Sequence, residues 1–242
     1  MIFWLLTLEE MKKGLSKYKF ERLAVESLRN ALRLHFDSAL LYTHHSYPSA
    51  FQLSILALEE FSKAKWVEHY YFSSITNSGF PDEKFEQGWL QLLYIHPEKQ
   101  TAFFAGEMFD YSPPFFDFVR KRGLETKKQR ATYVGFDRSK ARINTASRLS
   151  TPGRIKQKDA KQMISLLNSE FLEIHQRISA EEGYFSIDEM DGVISNQMAA
   201  LLKKWPHKTN LKSRRWWTSW DKKLSSANPP LNRTRATTAR AG

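Results

Sequence analysis

The chain has 242 residues, 41% of them hydrophobic and 14% aromatic, no cysteine, and a formal charge of +11. That composition supplies a real core and excludes disulfides and thiolate metal sites. The opening run MIFWLL is too short to span a bilayer and lacks a basic leader, and no other segment has a spanning-length apolar run. A soluble, cytoplasmic protein with no membrane contact is therefore expected.

Residues 1–17 read as a segment that docks on the body. From about residue 18 to 44 the pattern is a long helix. Arg22, Glu26, Arg29, Arg33 and Asp37 form its polar stripe, and Val25, Leu28, Leu32, Phe36 and Ala39 its apolar one. His44, His45 and Ser46 form a connector. Pro48 suits the first turn of a second helix, running to about residue 72. Two long helices with so short a joint should pack antiparallel. Residues 73–81 read as a loop, and Asp82 can cap a short helix to about residue 94. His96 and Pro97 open another helix, to about residue 109. Residues 115–128 read as helical and ATYVGFD as short and β-like. Residues 137–153 read as irregular, and residues 156–182 as a strong helix. A final helix is expected over 186–205, with Ser186 and Glu189 as a capping box. The expected architecture is all-α, with one domain over 18–205. Residues 206–242 make a basic, flexible tail in which Trp216, Trp217 and Trp220 could still dock.

The positive charge lies in two blocks. Residues 120–161 carry 14 Lys/Arg against three acids, and residues 206–242 carry nine against one. Such blocks suit a polyanion such as RNA, although basic loops and tails also serve solubility alone. Arg130, Tyr133, Arg138, Lys140 and Arg142 are the candidate nucleic-acid contacts, with Phe136 beside them for stacking.

Candidate chemistry centres on the second helix. Ala50, Leu53, Ala57, Glu60, Ala64 and Val67 form one stripe, which sets Glu60 in a small and apolar face. Lys63 stands at i+4 from Glu59 and at i+3 from Glu60. A buried carboxylate needs a partner, so Glu60 is expected to pair with Lys63, Lys99 or His96. Gly-rich phosphate loops, HExxH, GxSxG and zinc-ligand spacings are absent, and the seven histidines are scattered. No metal or other cofactor is expected. His96 sits where a helix dipole favours a neutral, base-competent imidazole, and Lys99 sits where that dipole disfavours a cation unless an acid or phosphate meets it. The same residues could equally be a charge network that sets the packing of the bundle.

The stretch RNALRLHFDSALLYTHHSYPSAFQLSILALEEFSKAKW resembles the signature helix pair of the AbiV family of abortive infection proteins. Asn30, Ala31, Leu34, Asp37, Ala39 and Leu41 fit its first half. Ala50, Leu53, Ala57, Glu59, Glu60, Lys63 and Ala64 fit the second. His96-Pro97-Glu98-Lys99 is similar to the family's H-x-x-K element, and KKQRATYVGFD to a later one, with Lys128 or Lys127 and Tyr133. The resemblance covers roughly residues 25–180. It implies an all-helical, HEPN-like domain and a role in bacterial defence against phage. Related HEPN proteins are often metal-independent ribonucleases that act as dimers, with an R-x(4–6)-H motif whose spacing Arg29 and His35 meet.

The leading expectation is a phage-defence protein that cleaves RNA or interferes with translation. His96 would be the general base, Lys99 or Lys63 would stabilise the developing phosphorane charge, and Glu59 or Glu60 would orient the cations. Arg29 and His35 are the runner-up pair. RNA, or a translation or phage component, is the expected partner, together with a second copy of the chain. The alternatives are a non-catalytic helical module that binds protein or RNA, and an unrelated helical protein whose basic blocks are its function.

Overall fold

The computed structural model describes residues 16–77, 79–104, 110–136, 142–181 and 183–213. The docking segment over 1–15, Arg138, Lys140 and the three tail tryptophans lie outside them. The fold is all-α. Helices α1 (Lys17–Thr43) and α2 (Tyr47–Thr76) form the long hairpin. Ser16 caps α1, its side chain accepting from the Lys19 N–H. The joint turns at His45, which adopts the left-handed region at φ 61°.

Helix α2 is the central rod. Helices α1, α4 (His96–Ala102), α6 (Gly123–Thr132) and α7 (Gln157–Glu181) all pack against it. Phe51, Ile55, Leu58, Phe61 and Val67 are all buried on it. Phe61 meets Phe171 of α7 edge to face, with ring centroids 5.3 Å apart. Helix α3 (Glu83–Leu92) starts at Asp82, which accepts from the Phe85 N–H at 3.0 Å, and sets Trp89 on Tyr70 with centroids 4.1 Å apart.

The expected single helix over 115–128 is two. Helix α5 (Pro113–Arg120) ends in a turn with Arg122 at φ 59°, and α6 begins at once. A Cβ on Gly123 would lie 2.2 Å from the Phe118 ring, so any other residue at this corner would have to push that ring aside. The corner turns the Lys128 face of α6 toward α2.

The expected helix over 186–205 is likewise divided, into α8 (Asp188–Asp191) and α9 (Asn196–Leu202). Val193 and Ile194 are buried in the interruption. Ser186 is not a cap: its N–H and hydroxyl both donate to Glu68 Oε1, at 3.0 and 2.6 Å. Ser195 caps α9 instead.

Residues 206–213, expected to belong to a flexible tail, form a strap across the body. The Asn210 N–H donates to Gln162 Oε1 at 2.6 Å and the Ser112 N–H to the Leu211 carbonyl at 2.8 Å. Lys212 forms an isolated antiparallel bridge with Tyr111. The β-like stretch amounts to one such bridge, between Gly135 and Ser150. Among the described residues no helix is long and apolar enough to cross a membrane.

Candidate active site

Glu59, midway along α2, is the hub of a polar cluster between α2, α4 and α6. Its side chain is 1% exposed. Oε2 accepts from His96 Nδ1 at 2.5 Å. Oε1 accepts from Gln100 Nε2 at 2.7 Å and from Lys128 Nζ at 2.9 Å. A carboxylate withdrawn from water in this way needs such donors to remain ionised. Helix α4 supplies His96, Lys99 and Gln100 within two turns, and α6 supplies Glu125, Lys128 and Gln129 on one face.

The buried acid is therefore Glu59, whereas the stripe on α2 singled out Glu60. Glu60 is 18% exposed, paired with Lys63 at 2.8 Å and with Asn30 Nδ2 of α1 at 3.3 Å. Lys63 takes the i+3 partner. The reason is that α2 is enclosed on most of its circumference, so a search for one apolar stripe cannot choose between neighbouring glutamates.

Lys128 also pairs with Glu125 at 2.7 Å. Burial alone would raise the Glu125 carboxyl, but hydrogen bonds from Gln129 and Lys128 hold it below its usual range. Lys99 is the loosest cation, with its ammonium 3.8 Å from Glu59. Burial lowers its pKa, against the opposing pull of Glu59 and Glu60. Lys127 lies apart from the cluster and pairs with Asp159 at 2.7 Å.

His96 faces two ways. An ionised Glu59 only accepts, so His96 donates from Nδ1, and in a neutral imidazole the lone pair then lies on Nε2. The side chain is 49% exposed, and no described residue hydrogen-bonds Nε2. Helix α4 has only seven residues, so the carboxylate, more than a helix dipole, sets this tautomer.

Arg29 and His35 are not brought together. Arg29 pairs with Glu26 on the outer face of α1 at 2.8 Å and is 48% exposed. His35 is buried under α7, with Nε2 3.2 Å from Asn168 Oδ1, and burial pushes its pKa down to about 4. Neither joins the Glu59 cluster.

Arg130 and Tyr133, at the end of α6, line a groove of about 740 Å³ with Phe136, Gln129 and Ser150. Glu125 lines it too, so the groove adjoins the Glu59 cluster. Tyr133 is 64% exposed and Phe136 45%. Arg142 is exposed on the loop beyond.

Gln100, Glu125 and Gln129 escaped the sequence reading. Their signal was present in spacing: Gln100 stands at i+4 from His96, and Glu125 at i−3 from Lys128.

This arrangement, a long helical hairpin carrying an acid–histidine–lysine cluster braced by shorter helices, defines a HEPN-like helical domain. The family model described as AbiV matches residues 19–173, from α1 through most of α7, and the chain belongs to that family. The match spans every residue of the Glu59 cluster. Membership associates the chain with abortive-infection defence. No curated protein and no solved structure matches the chain.

Proposed function

We propose that the protein is an abortive-infection effector that cleaves RNA at the Glu59–His96 pair. The observation that carries this reading is a half-exposed imidazole whose Nδ1 is held by a buried carboxylate while Nε2 opens to solvent. In the proposed reaction Nε2 takes the proton from a ribose 2′-OH. The 2′-oxygen attacks the adjacent phosphorus, the P–O5′ bond breaks, and the 5′-oxygen leaves with a proton from water. The products are a 2′,3′-cyclic phosphate and a 5′-hydroxyl. Lys99, the least tightly held cation of the cluster at 3.8 Å from Glu59, stabilises the charge on the phosphorane oxygens. Lys128 and Gln100 hold Glu59, and Lys63 and Glu60 complete the charge balance around them. Tyr133 and Phe136 stack neighbouring bases, while Arg130, Arg142 and the intervening Arg138 and Lys140 meet phosphates. The active species in this reading is a homodimer, tested by sedimentation of the purified chain.

The test is incubation of purified protein with a defined RNA, with end analysis of the fragments. The His96→Ala variant, shown to be folded, is assayed in parallel. Cyclic-phosphate fragments that vanish with His96→Ala support the reading. Intact RNA in vitro, and full phage resistance in cells carrying His96→Ala, would overturn it.

A second reading rests on charge balance. The three carboxylates Glu59, Glu60 and Glu125 face the three ammoniums Lys63, Lys99 and Lys128. A cluster so balanced can serve only to fix the packing of α4 and α6 on α2. Defence would then run through binding of RNA or of a phage or translation component. RNA integrity and protein synthesis in infected cells, with and without His96→Ala, separate the two.

A further inference from the structure

One motif of the sequence has no place in the candidate site. It is the apolar run Ile2, Phe3, Trp4, Leu5 and Leu6, in a chain of net charge +11. The run precedes both the described residues and the residues matched to the family, 19–173. The fold presents an apolar face beside the point where the described chain starts. Helices α1 and α2 are antiparallel, so the beginning of α1 stands at the end of α2. The Lys17 ammonium lies 5.7 Å from the Tyr71 ring centroid, and the Tyr71 hydroxyl donates to Glu21 at 2.8 Å.

Phe72, next to Tyr71, is 48% exposed, and Ile75, three residues on and on the same side of α2, is 46% exposed. Single apolar side chains on a surface are ordinary. Here, however, Phe72 is one wall of a groove of about 410 Å³, and Ile75 prolongs its face of the helix. Tyr184 and Phe185 form the other wall, their rings edge to face at 4.8 Å, and Lys65 and Glu68 complete the lining. The second wall is held from two directions. The N–H groups of Tyr184 and Phe185 each donate to the Asp191 carboxylate at 3.1 Å, and Ser186 is bonded to Glu68 of α2. A groove so fixed is already shaped for an apolar segment and need not be ordered by it.

We propose that residues 2–6 of this chain dock in the groove, with their apolar side chains against Phe72, Ile75, Tyr184 and Phe185. Reach and tethering select this occupant. Nine residues separate Leu6 from Ser16, enough to span about 30 Å, whereas α1 starts beside the groove's Phe72 wall. A tether this short favours capture within the chain over capture of a partner from solution. Docking removes apolar surface from water on both sides, which is its driving force. The site is independent of the cleavage reading and does not need His96.

The chain has no cysteine, so two introduced thiols form a single possible bond. The full chain carrying Leu5→Cys and Ile75→Cys, oxidised when dilute and mapped by mass spectrometry, should close to an intrachain disulfide in most molecules. Leu5→Cys with Leu40→Cys should stay reduced. Leu40 is 58% exposed and lies about 33 Å along α1 from Tyr18. A second readout needs no thiol. Acrylamide quenching of the parent, less that of Trp4→Phe, reports Trp4 alone. Trp4 should be shielded in the parent and open to quencher in Phe72→Glu. A bond between two chains, equal bonding through Leu40→Cys, no bond at all, or a fully quenched Trp4 in the parent would each overturn the inference. So would sedimentation of the parent with phosphatidylcholine vesicles that Leu5→Glu abolishes, which would assign the run to a lipid surface.

Discussion

Lys212 reaches from the strap to Glu170 on α7, and the two form an ion pair almost wholly removed from water. The Tyr111 hydroxyl donates to the same carboxylate at 3.0 Å, and the Lys212 ammonium lies 4.5 Å from the Tyr111 ring centroid. One buried charge thus fastens the strap to the connection between α4 and α5. Lys212→Met leaves Glu170 buried with Tyr111 alone. It should cost about 3–5 kcal/mol, read by urea denaturation. Combining it with Glu170→Leu should recover most of that loss, since an apolar pair of similar volume is often neutral. A single variant as stable as the parent would show that the pair does not hold the strap.

Glu59 and Glu60 are adjacent in sequence and unequal in energy. Glu59→Gln leaves Lys128 without one of its two carboxylates and sets an amide N–H among donors. It should destabilise the fold by about 3–5 kcal/mol. Glu60→Gln touches a partly exposed pair and should cost about 1 kcal/mol or less. Equal losses in the two variants would remove Glu59 from its place as hub.

His35 makes stability depend on pH. In the unfolded chain an imidazole titrates near 6.5, while in the fold burial holds it down to about 4. Between those values the unfolded state binds the extra proton, so stability falls as pH drops from 6.5 toward 4. The full contribution is present above pH 6.5, and its loss is about 3 kcal/mol. His35→Gln keeps an N–H for Asn168 and does not titrate. The difference in unfolding free energy between pH 7 and pH 4 should therefore be smaller in this variant by that amount.

Salt dependence reads the basic block. Each phosphate contact to a single strand contributes about 0.7 to the slope of log K against log salt. Charge reversal at Arg138, Lys140 and Arg142 together should weaken RNA binding and flatten the slope by roughly 2, measured by fluorescence anisotropy. An unchanged slope reassigns the block to solubility.

The hairpin, its joint and the α7 helix were legible because their apolar periodicity is long and uninterrupted. The all-α architecture and the family followed from the same segments. Helix division at Arg122 was not legible, because its one compositional mark is Gly123, and a helical pattern often tolerates an isolated glycine. The strap was illegible for another reason. It is held by backbone hydrogen bonds and by Lys212, and a lysine in a basic tail reads as solvated. At the candidate site, His96, Lys99, Glu59, Glu60 and Lys63 were all found in sequence. Which glutamate is buried, and whether Lys127 or Lys128 joins it, depends on how α4 and α6 wrap α2, and no single helix encodes that.

Helix α2 bears Tyr47 in its first turn and Glu59 near its middle, about 18 Å apart along the axis at 1.5 Å per residue. An uninterrupted helix does not absorb displacement by bending at one residue. The three helices that meet at Glu59 therefore set one another's register: α4 and α6 keep their hydrogen bonds to that carboxylate only while α2 keeps its place along its own axis.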